Sequence, residues 1–180
     1  MTQTETSADQ ARAQFESIAA MVERLTHAAE CTIPADCSLT AQDIADGLGE
    51  YRGTAPVYEW NLKPEDREDY HDADEAQQRI HEDALSVQVR TGWHTPNEPG
   101  GNDPAEFEIL LCTGGPAVRI VGDLDQYSQP STARLEHQDW GTPWTEYRPT
   151  VAPDPDTITG ELNAYRETLL GYCRQFYFGE

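Results

Sequence analysis

The chain has 180 residues, of which 37% are hydrophobic, and its 33 acidic against 12 basic residues give a formal net charge of −21. This charge disfavours direct binding to nucleic acid or to an anionic membrane, and it favours basic partners. No stretch approaches the roughly 20 apolar residues of a membrane span, and the polar start MTQTETSADQ is not that of a signal peptide. We therefore expect a cytoplasmic protein.

Two helices are predicted in the N-terminal third of the chain. Residues 9–31 place Phe15, Ile18 and Val22 on one helical face, which Leu25 and Ala29 continue. A shorter helix is expected at Thr40–Leu48, where two glycines stop it. We expect residues 1–60 to form an N-terminal helical segment and residues 61–180 to form an α+β domain, unless the two make one compact domain.

The sequence PEDREDYHDADE, Pro64–Glu75, contains seven carboxylates among its twelve residues. Pro64 suits the first position of a helix, which we expect to run to about Asp83 with a break near Tyr70. Carboxylates three and four residues apart on a helix lie about 5–6 Å from one another and repel. That distance is close to the separation of successive phosphates on a nucleic-acid strand, and Lys63 is the only lysine in the chain.

Four antiparallel strands and a closing helix are predicted after the acidic stretch. Leu85–Trp93 alternates apolar and polar residues as a half-buried strand does. Residues 106–125 read as a hairpin whose TGGP turn supplies the glycines of a tight reversal. Residues 131–140 form the fourth strand, and a short extended piece can follow at 145–149. The C-terminal helix should pack on this meander sheet through Ile158, Leu162, Tyr165, Leu169, Tyr172 and Phe176.

Histidine and cysteine patterns do not predict a metal site or a cofactor. The four cysteines, at positions 31, 37, 112 and 173, lack CxxC spacing and are interpreted as structural thiols. On a helix His71, Asp74 and Glu75 would share a face, but neither an HExxH nor an EF-hand pattern accompanies them. The tryptophans at positions 60, 93, 140 and 144 could form a binding patch, and core packing is the preferred interpretation.

The best enzymatic candidate is LEHQDWGTPW. In a strand His137 and Asp139 point to the same face, where they could act as a base and its orienting carboxylate, with Glu136 beside them. No serine or cysteine stands in a recognisable nucleophile motif. An exposed polar strand face is the preferred interpretation, and a small hydrolase or modifying enzyme is the alternative.

Three sequence blocks, RIHEDALSVQVRTGW, EILLCTGGPAVRIVGDLD and ARLEHQDWGTPWTEY, lie within residues 79–147. Together they resemble a segment that recurs in small, mostly uncharacterised proteins of bacterial phages, plasmids and other mobile elements. The resemblance implies a genetic setting rather than an activity. Small acidic proteins of such elements often counter host defences, and anti-restriction and anti-CRISPR proteins that imitate DNA are the obvious group.

We therefore expect a non-enzymatic DNA mimic that blocks the nucleic-acid groove of a host defence complex, with a basic nucleic-acid-binding protein or CRISPR/restriction complex as its partner. A third possibility is an accessory protein of a salt-loving organism, whose charge serves solubility. The expected partner-binding residues are the acids of the stretch and of the helix that continues it: Glu65, Asp66, Glu68, Asp69, Asp72, Asp74, Glu75, Glu82 and Asp83.

Overall fold

Four ranges of the chain, residues 6–31, 70–95, 103–149 and 155–179, are described by a computed structural model. The chain has an α+β fold whose elements are α1 (Ser7–Glu30), α2 (Ala73–Asp83), β1 (Ser86–Thr91), β2 (Pro104–Cys112), β3 (Ala117–Asp123), β4 (Arg134–Gln138), β5 (Thr145–Glu146) and α3 (Pro155–Cys173). The expected helix at Thr40–Leu48 lies outside the described residues. None of the helices within these ranges is both long and apolar enough to cross a membrane.

Contacts between Cα atoms divide the chain into two compact units. The first contains Met1–Ala19 and His81–Glu180, and the second contains Ala20–Ile80. The sheet and α3 belong to the first unit. The second half of α1 and most of α2 belong to the second unit.

The sheet is an antiparallel meander of five strands in the order β1-β2-β3-β4-β5. The prediction of an antiparallel sheet is confirmed, but the prediction of four strands is wrong. The fifth strand is only two residues long, and it pairs Glu146 with Glu136 and Thr145 with His137. Two residues are too few for an alternating pattern, so the sequence indicated only a short extended piece here.

The predicted hairpin is formed by β2 and β3, which pair through Ile109 and Ile120 at its centre. Gly114 and Gly115 make the reversal with φ angles of 114° and 78°. These angles lie in the left-handed region, which residues with a Cβ atom rarely adopt. The two glycines therefore explain why the chain turns here.

One face of the sheet forms the core of the first unit. The inward side chains of the central strands are almost fully buried, and they are Phe107, Ile109, Leu111, Val118, Ile120 and Leu135. The ring of Phe15 on α1 lies 4.8 Å from that of Tyr165 on α3, and Phe178 beyond α3 lies 4.8 Å from Phe107. The first half of α1 and the C-terminal region thus join the sheet in one apolar core.

The edge strand β1 differs from the prediction of a half-buried strand. Its apolar row shares the face of Ile109 and Phe107 in the register of the sheet. Nevertheless Leu85, Val87 and Val89 are 58%, 39% and 46% exposed. The reason is position, because an edge strand has a neighbouring strand on only one side.

The preferred core role of the tryptophans is wrong for two of them. The side chain of Trp93 is fully exposed, and that of Trp140 is largely exposed beside Gly115. Trp144 is half-buried, and Trp60 lies outside the described residues. Both exposed rings follow the last residue of a strand, where the chain leaves the sheet.

The described part of the acidic helix is the part that follows the predicted break. Helix α2 starts at Ala73, and Asp72 caps it by accepting hydrogen bonds from the backbone N–H groups of Asp74 and Glu75 at 3.0 and 3.1 Å. The break expected near Tyr70 is confirmed by the turn at His71. The helix start at Pro64 lies outside the described residues.

We predict that Val118→Ala lowers the free energy of unfolding by about 1–3 kcal/mol, because the side chain of Val118 is fully buried on the core face of the sheet. Val87→Ala, the same change on the same sheet, should cost less than about 0.5 kcal/mol because Val87 is exposed. Urea unfolding followed by circular dichroism measures both values. Equal losses would contradict the assignment of Val118 to the core and of Val87 to an exposed edge strand.

Candidate functional site

The predicted partner-binding acids are only partly described. Glu65, Asp66, Glu68 and Asp69 lie outside the described residues. The remaining five belong to α2 or to its cap, and Asp72, Asp74 and Glu82 are exposed there. The carboxylate of Asp74 makes no hydrogen bond or ion pair with any described residue, whereas that of Asp72 serves as the helix cap.

Glu75 has a structural contact that the sequence did not reveal. Its carboxylate lies 3.1 Å from the guanidinium of Arg24, whose side chain is only 4% exposed. Arg24 also lies over the ring of Tyr70, with 5.6 Å between Cζ and the ring centroid. A buried cation needs a charged or hydrogen-bonding partner, so Glu75 helps to hold the start of α2 on α1.

Asp83, at the other end of α2, also makes a structural contact. The hydroxyl of Tyr172 donates a hydrogen bond to Asp83 Oδ2 at 2.8 Å. Burial raises the pKa of Tyr172, and the nearby charge of Asp83 raises this pKa further. Asp83 therefore fixes the end of α2 on α3.

The outer face of the sheet is charged and holds several arginines. Arg119 on β3 donates to Glu136 Oε2 from Nε at 2.9 Å and from Nη2 at 2.7 Å, and it also pairs with Glu108. Its guanidinium lies over Trp144, 4.1 Å from the ring centroid. At either side Arg134 pairs with Glu136, and Arg90 pairs with Glu106. Arginine and glutamate thus neutralise each other across this face.

Glu136 is therefore engaged in the ion-pair network. Partial burial acts to raise its pKa, but hydrogen bonds and charges from Arg134 and Arg119 outweigh burial and lower the pKa overall. The carboxylate is held ionised between two guanidinium groups. Its side chain lies on the face opposite to that of His137, because neighbouring strand residues alternate.

The alternative enzymatic site brings together His137 and Asp139, as their spacing predicted, and adds Ser7 at the start of α1. The Ser7 hydroxyl donates to Asp139 Oδ2 at 2.9 Å and lies 2.9 Å from His137 Nδ1. A hydroxyl group has a single proton, and Ser7 uses it to donate to Asp139. In the contact with His137 the donor must therefore be Nδ1 of His137, and the acceptor is Oγ of Ser7. Ser7 is only 5% exposed.

This arrangement differs from a catalytic Ser–His–Asp relay. In the relay the histidine accepts the serine proton and the aspartate contacts the other ring nitrogen. Here the serine lies between the histidine and the aspartate, and its hydroxyl is covered. The three side chains join the first turn of α1 to the end of β4.

A histidine–cysteine cluster was missed by the sequence analysis. His27 and Cys31 lie four residues apart at the end of α1, and His71 lies in the turn before α2. The Nε2 atoms of His27 and His71 are 3.0 Å apart, and the potential ligand atoms of all three residues lie within 4.8 Å of one another. The expectation that His71 shares a face with Asp74 and Glu75 is wrong, because His71 precedes the helix and turns towards α1.

Comparisons with protein-family models, with curated proteins and with solved structures found no match. The resemblance of residues 79–147 to proteins of mobile elements therefore stays a prediction.

We predict that Glu75→Gln lowers the free energy of unfolding by about 1–3 kcal/mol, because it removes a charged partner of the buried Arg24. Asp74→Asn makes the same change in charge one residue away, at an exposed carboxylate, and should alter stability by less than about 0.5 kcal/mol. Urea unfolding at neutral pH compares the two variants. A larger loss in Asp74→Asn would contradict the structural role of Glu75.

We predict that Ser7→Ala lowers the free energy of unfolding by about 1–2 kcal/mol through loss of its two hydrogen bonds. Ser17→Ala, in the same helix, is the control and should have a smaller effect. Thermal unfolding gives the comparison. Covalent labelling of wild-type protein by a fluorophosphonate, abolished in Ser7→Ala, would instead indicate a reactive serine and favour the hydrolase alternative.

Proposed function

We propose that the protein is a non-enzymatic inhibitor whose acidic segment, residues 64–75, occupies the nucleic-acid groove of a host defence complex. The observation that carries this proposal is the distribution of charge. The described arginines that form ion pairs within the chain are Arg12, Arg24, Arg90, Arg119, Arg134, Arg148 and Arg174. The acidic residues outnumber these arginines, so the net charge of −21 remains to attract positively charged partners.

The acidic segment is the part of the sequence where this excess is most concentrated. Asp74, which belongs to it, is exposed and has no partner among the described residues. Across the sheet, by contrast, glutamates face arginines and the charges cancel. A basic partner would therefore be attracted more strongly to the segment than to the outer face of the sheet.

Inhibition would proceed by occupancy of the groove. Arginine and lysine side chains that normally bind phosphates would pair with carboxylates of the segment, and DNA would be excluded. One exposed ion pair contributes only about 0.2–1 kcal/mol, so affinity requires many such pairs. Salt screens exposed charges over about 8–10 Å, so binding should weaken steeply with ionic strength.

The partner class follows from the sign of the charge and from the implied genetic setting. A chain with this charge is repelled by nucleic acid itself, whereas a protein groove built for phosphates carries the complementary charge. The resemblance to mobile-element proteins favours a CRISPR or restriction complex among such partners. Anti-CRISPR or anti-restriction activity is accordingly the function to test.

The first experiment captures partners from a bacterial lysate that contains CRISPR and restriction systems, with washing at low salt and elution at high salt. A captured complex is then purified and tested for cleavage of its DNA target in the presence of the protein. We expect cleavage to be inhibited, and we expect duplex DNA to compete with the protein for the complex. Formation of a ternary complex with DNA would contradict groove occupancy.

The decisive variant combines Glu65→Gln, Glu68→Gln, Asp69→Asn and Asp74→Asn, which spares the helix cap Asp72 and the structural residues Glu75 and Asp83. We expect its affinity for the complex to fall at least about fivefold, from the loss of several ion pairs. A charge-matched control changes Glu16, Asp103, Glu161 and Glu167 to their amides. Equal losses in both would indicate a general effect of charge, as expected of an acidic protein from a salt-loving organism.

A further inference from the structure

Two imidazoles and one thiol meet at the end of α1. His27 and Cys31 occupy successive turns of one helical face, because residues four apart lie above one another. The ring of His71 approaches edge-on, with 4.9 Å between the two imidazole centroids. Cys31 is half-buried and forms no disulfide.

The chemistry of these ligands suits zinc better than it suits a hard cation. Imidazole nitrogen and thiolate sulfur bind Zn²⁺, whereas Mg²⁺ and Ca²⁺ prefer oxygen ligands. Around a tetrahedral Zn²⁺ with Zn–N of about 2.0–2.1 Å, two nitrogens lie roughly 3.3 Å apart. The observed 3.0 Å between the Nε2 atoms differs from this value by a few tenths of an ångström. The thiol sulfur lies within 4.8 Å of a ring nitrogen of each histidine, within reach of the same ion.

A direct hydrogen bond between the imidazoles is the competing explanation for their approach. It would require one Nε2 to carry a proton and the other to accept it. It gives no reason, however, for a thiol to lie beside the same two nitrogens. A cation that accepts a lone pair from each of the three atoms accounts for the whole cluster.

We propose that His27, Cys31 and His71 bind a Zn²⁺ ion that links the last turn of α1 to the segment preceding α2. All three residues belong to the same compact unit, Ala20–Ile80. A cavity of about 290 Å³ lined by Glu23, Thr26, His27, Glu30 and Tyr70 opens beside the cluster. It gives room beside His27 for a water molecule, which could serve as a fourth ligand.

The ion would strengthen contacts that the chain already makes at this place. Arg24, one turn before His27, pairs with Glu75, and its Nε lies 3.5 Å from the backbone oxygen of Tyr70. Zinc at His71 would add a bond between the same two segments. The proposal does not depend on the inhibitory function, because the acidic segment could bind a partner with or without the ion.

Cobalt is the probe that identifies the ligands. The full-length protein is stripped of metal with a chelator, reduced and titrated with Co²⁺, and Zn²⁺ is then added in competition. We expect one equivalent of Co²⁺ to produce thiolate-to-cobalt charge-transfer absorption and the intense visible bands of a tetrahedral ion. Zn²⁺ should abolish these bands stoichiometrically, and a large excess of Mg²⁺ or Ca²⁺ should leave them unchanged.

Matched variants assign the site. Cys31→Ser should abolish the charge-transfer band, whereas Cys112→Ser, at another half-buried thiol, should retain it. His27→Gln and His71→Gln should each weaken Zn²⁺ binding by at least about 10–100-fold, the effect expected even of an outer-shell partner. His94→Gln, at an exposed histidine, should bind as the wild type does. Zn²⁺ should raise the melting temperature of the wild type and the controls but not that of the ligand variants.

Two results would overturn the site. One is a charge-transfer band that persists in Cys31→Ser, and the other is equal Zn²⁺ affinity in ligand and control variants. Should a ligand variant fail to fold without metal, X-ray absorption on the zinc-loaded wild type decides the matter. One sulfur and two imidazole nitrogens support the site, and a shell made only of oxygen rules it out. Failure of groove inhibition would leave these spectra unchanged, so the two proposals fail independently.

Discussion

The alternation of inward and outward side chains along β2, β3 and β4 is the constraint on which the fold of the first unit depends. Successive side chains of a strand point to opposite faces, so one register decides both what is buried and what is charged. With Ile109 opposite Ile120 and Ile120 opposite Leu135, the large apolar side chains share one face. A shift of a single residue would bring Arg119 into this face, and the cost of burying its charge makes such a register inaccessible.

The same alternation determines which acidic residues the arginines of the sheet can pair with. Arg119 stands opposite Glu136 on the outer face, with Trp144 against its guanidinium. Because Arg90 and Arg134 pair with glutamates on that face too, the sheet uses scarce positive charge for internal contacts. The acid excess is consequently not cancelled by the arginines of the sheet. The proposal of a basic partner therefore rests on the acidic segment rather than on the sheet.

The local spacing of apolar residues and turn glycines predicted α1, the β2–β3 hairpin and α3. Exposure of β1 could not be predicted, because a strand with alternating Val87 and Val89 has the same pattern at the edge of a sheet as at its centre. The cluster at the end of α1 was missed for a similar reason. His27 and Cys31 have ligand spacing on a helix, but His71 is 44 residues away and only tertiary structure brings it there. The burial of Arg24, which is 3% exposed, was not predicted either, because its partner Glu75 lies far away in the sequence.

Burial of Arg24 explains why the last residue of the acidic segment, Glu75, is held against α1. A cation withdrawn from water is stabilised only by nearby anions and dipoles, and Glu75 supplies an anion from the segment itself. The ion pair therefore orients the start of α2 towards the side of α1 on which Arg24 lies, and His27 lies one turn further on. In a chain of net charge −21 the surrounding potential attracts cations of every kind, so charge alone cannot select one. Selection has to come from ligand chemistry, and a set of two imidazoles and one thiolate discriminates against the Mg²⁺ and Ca²⁺ that the carboxylates would otherwise hold. A divalent ion bound there would also offset part of the repulsion among the acidic residues near it.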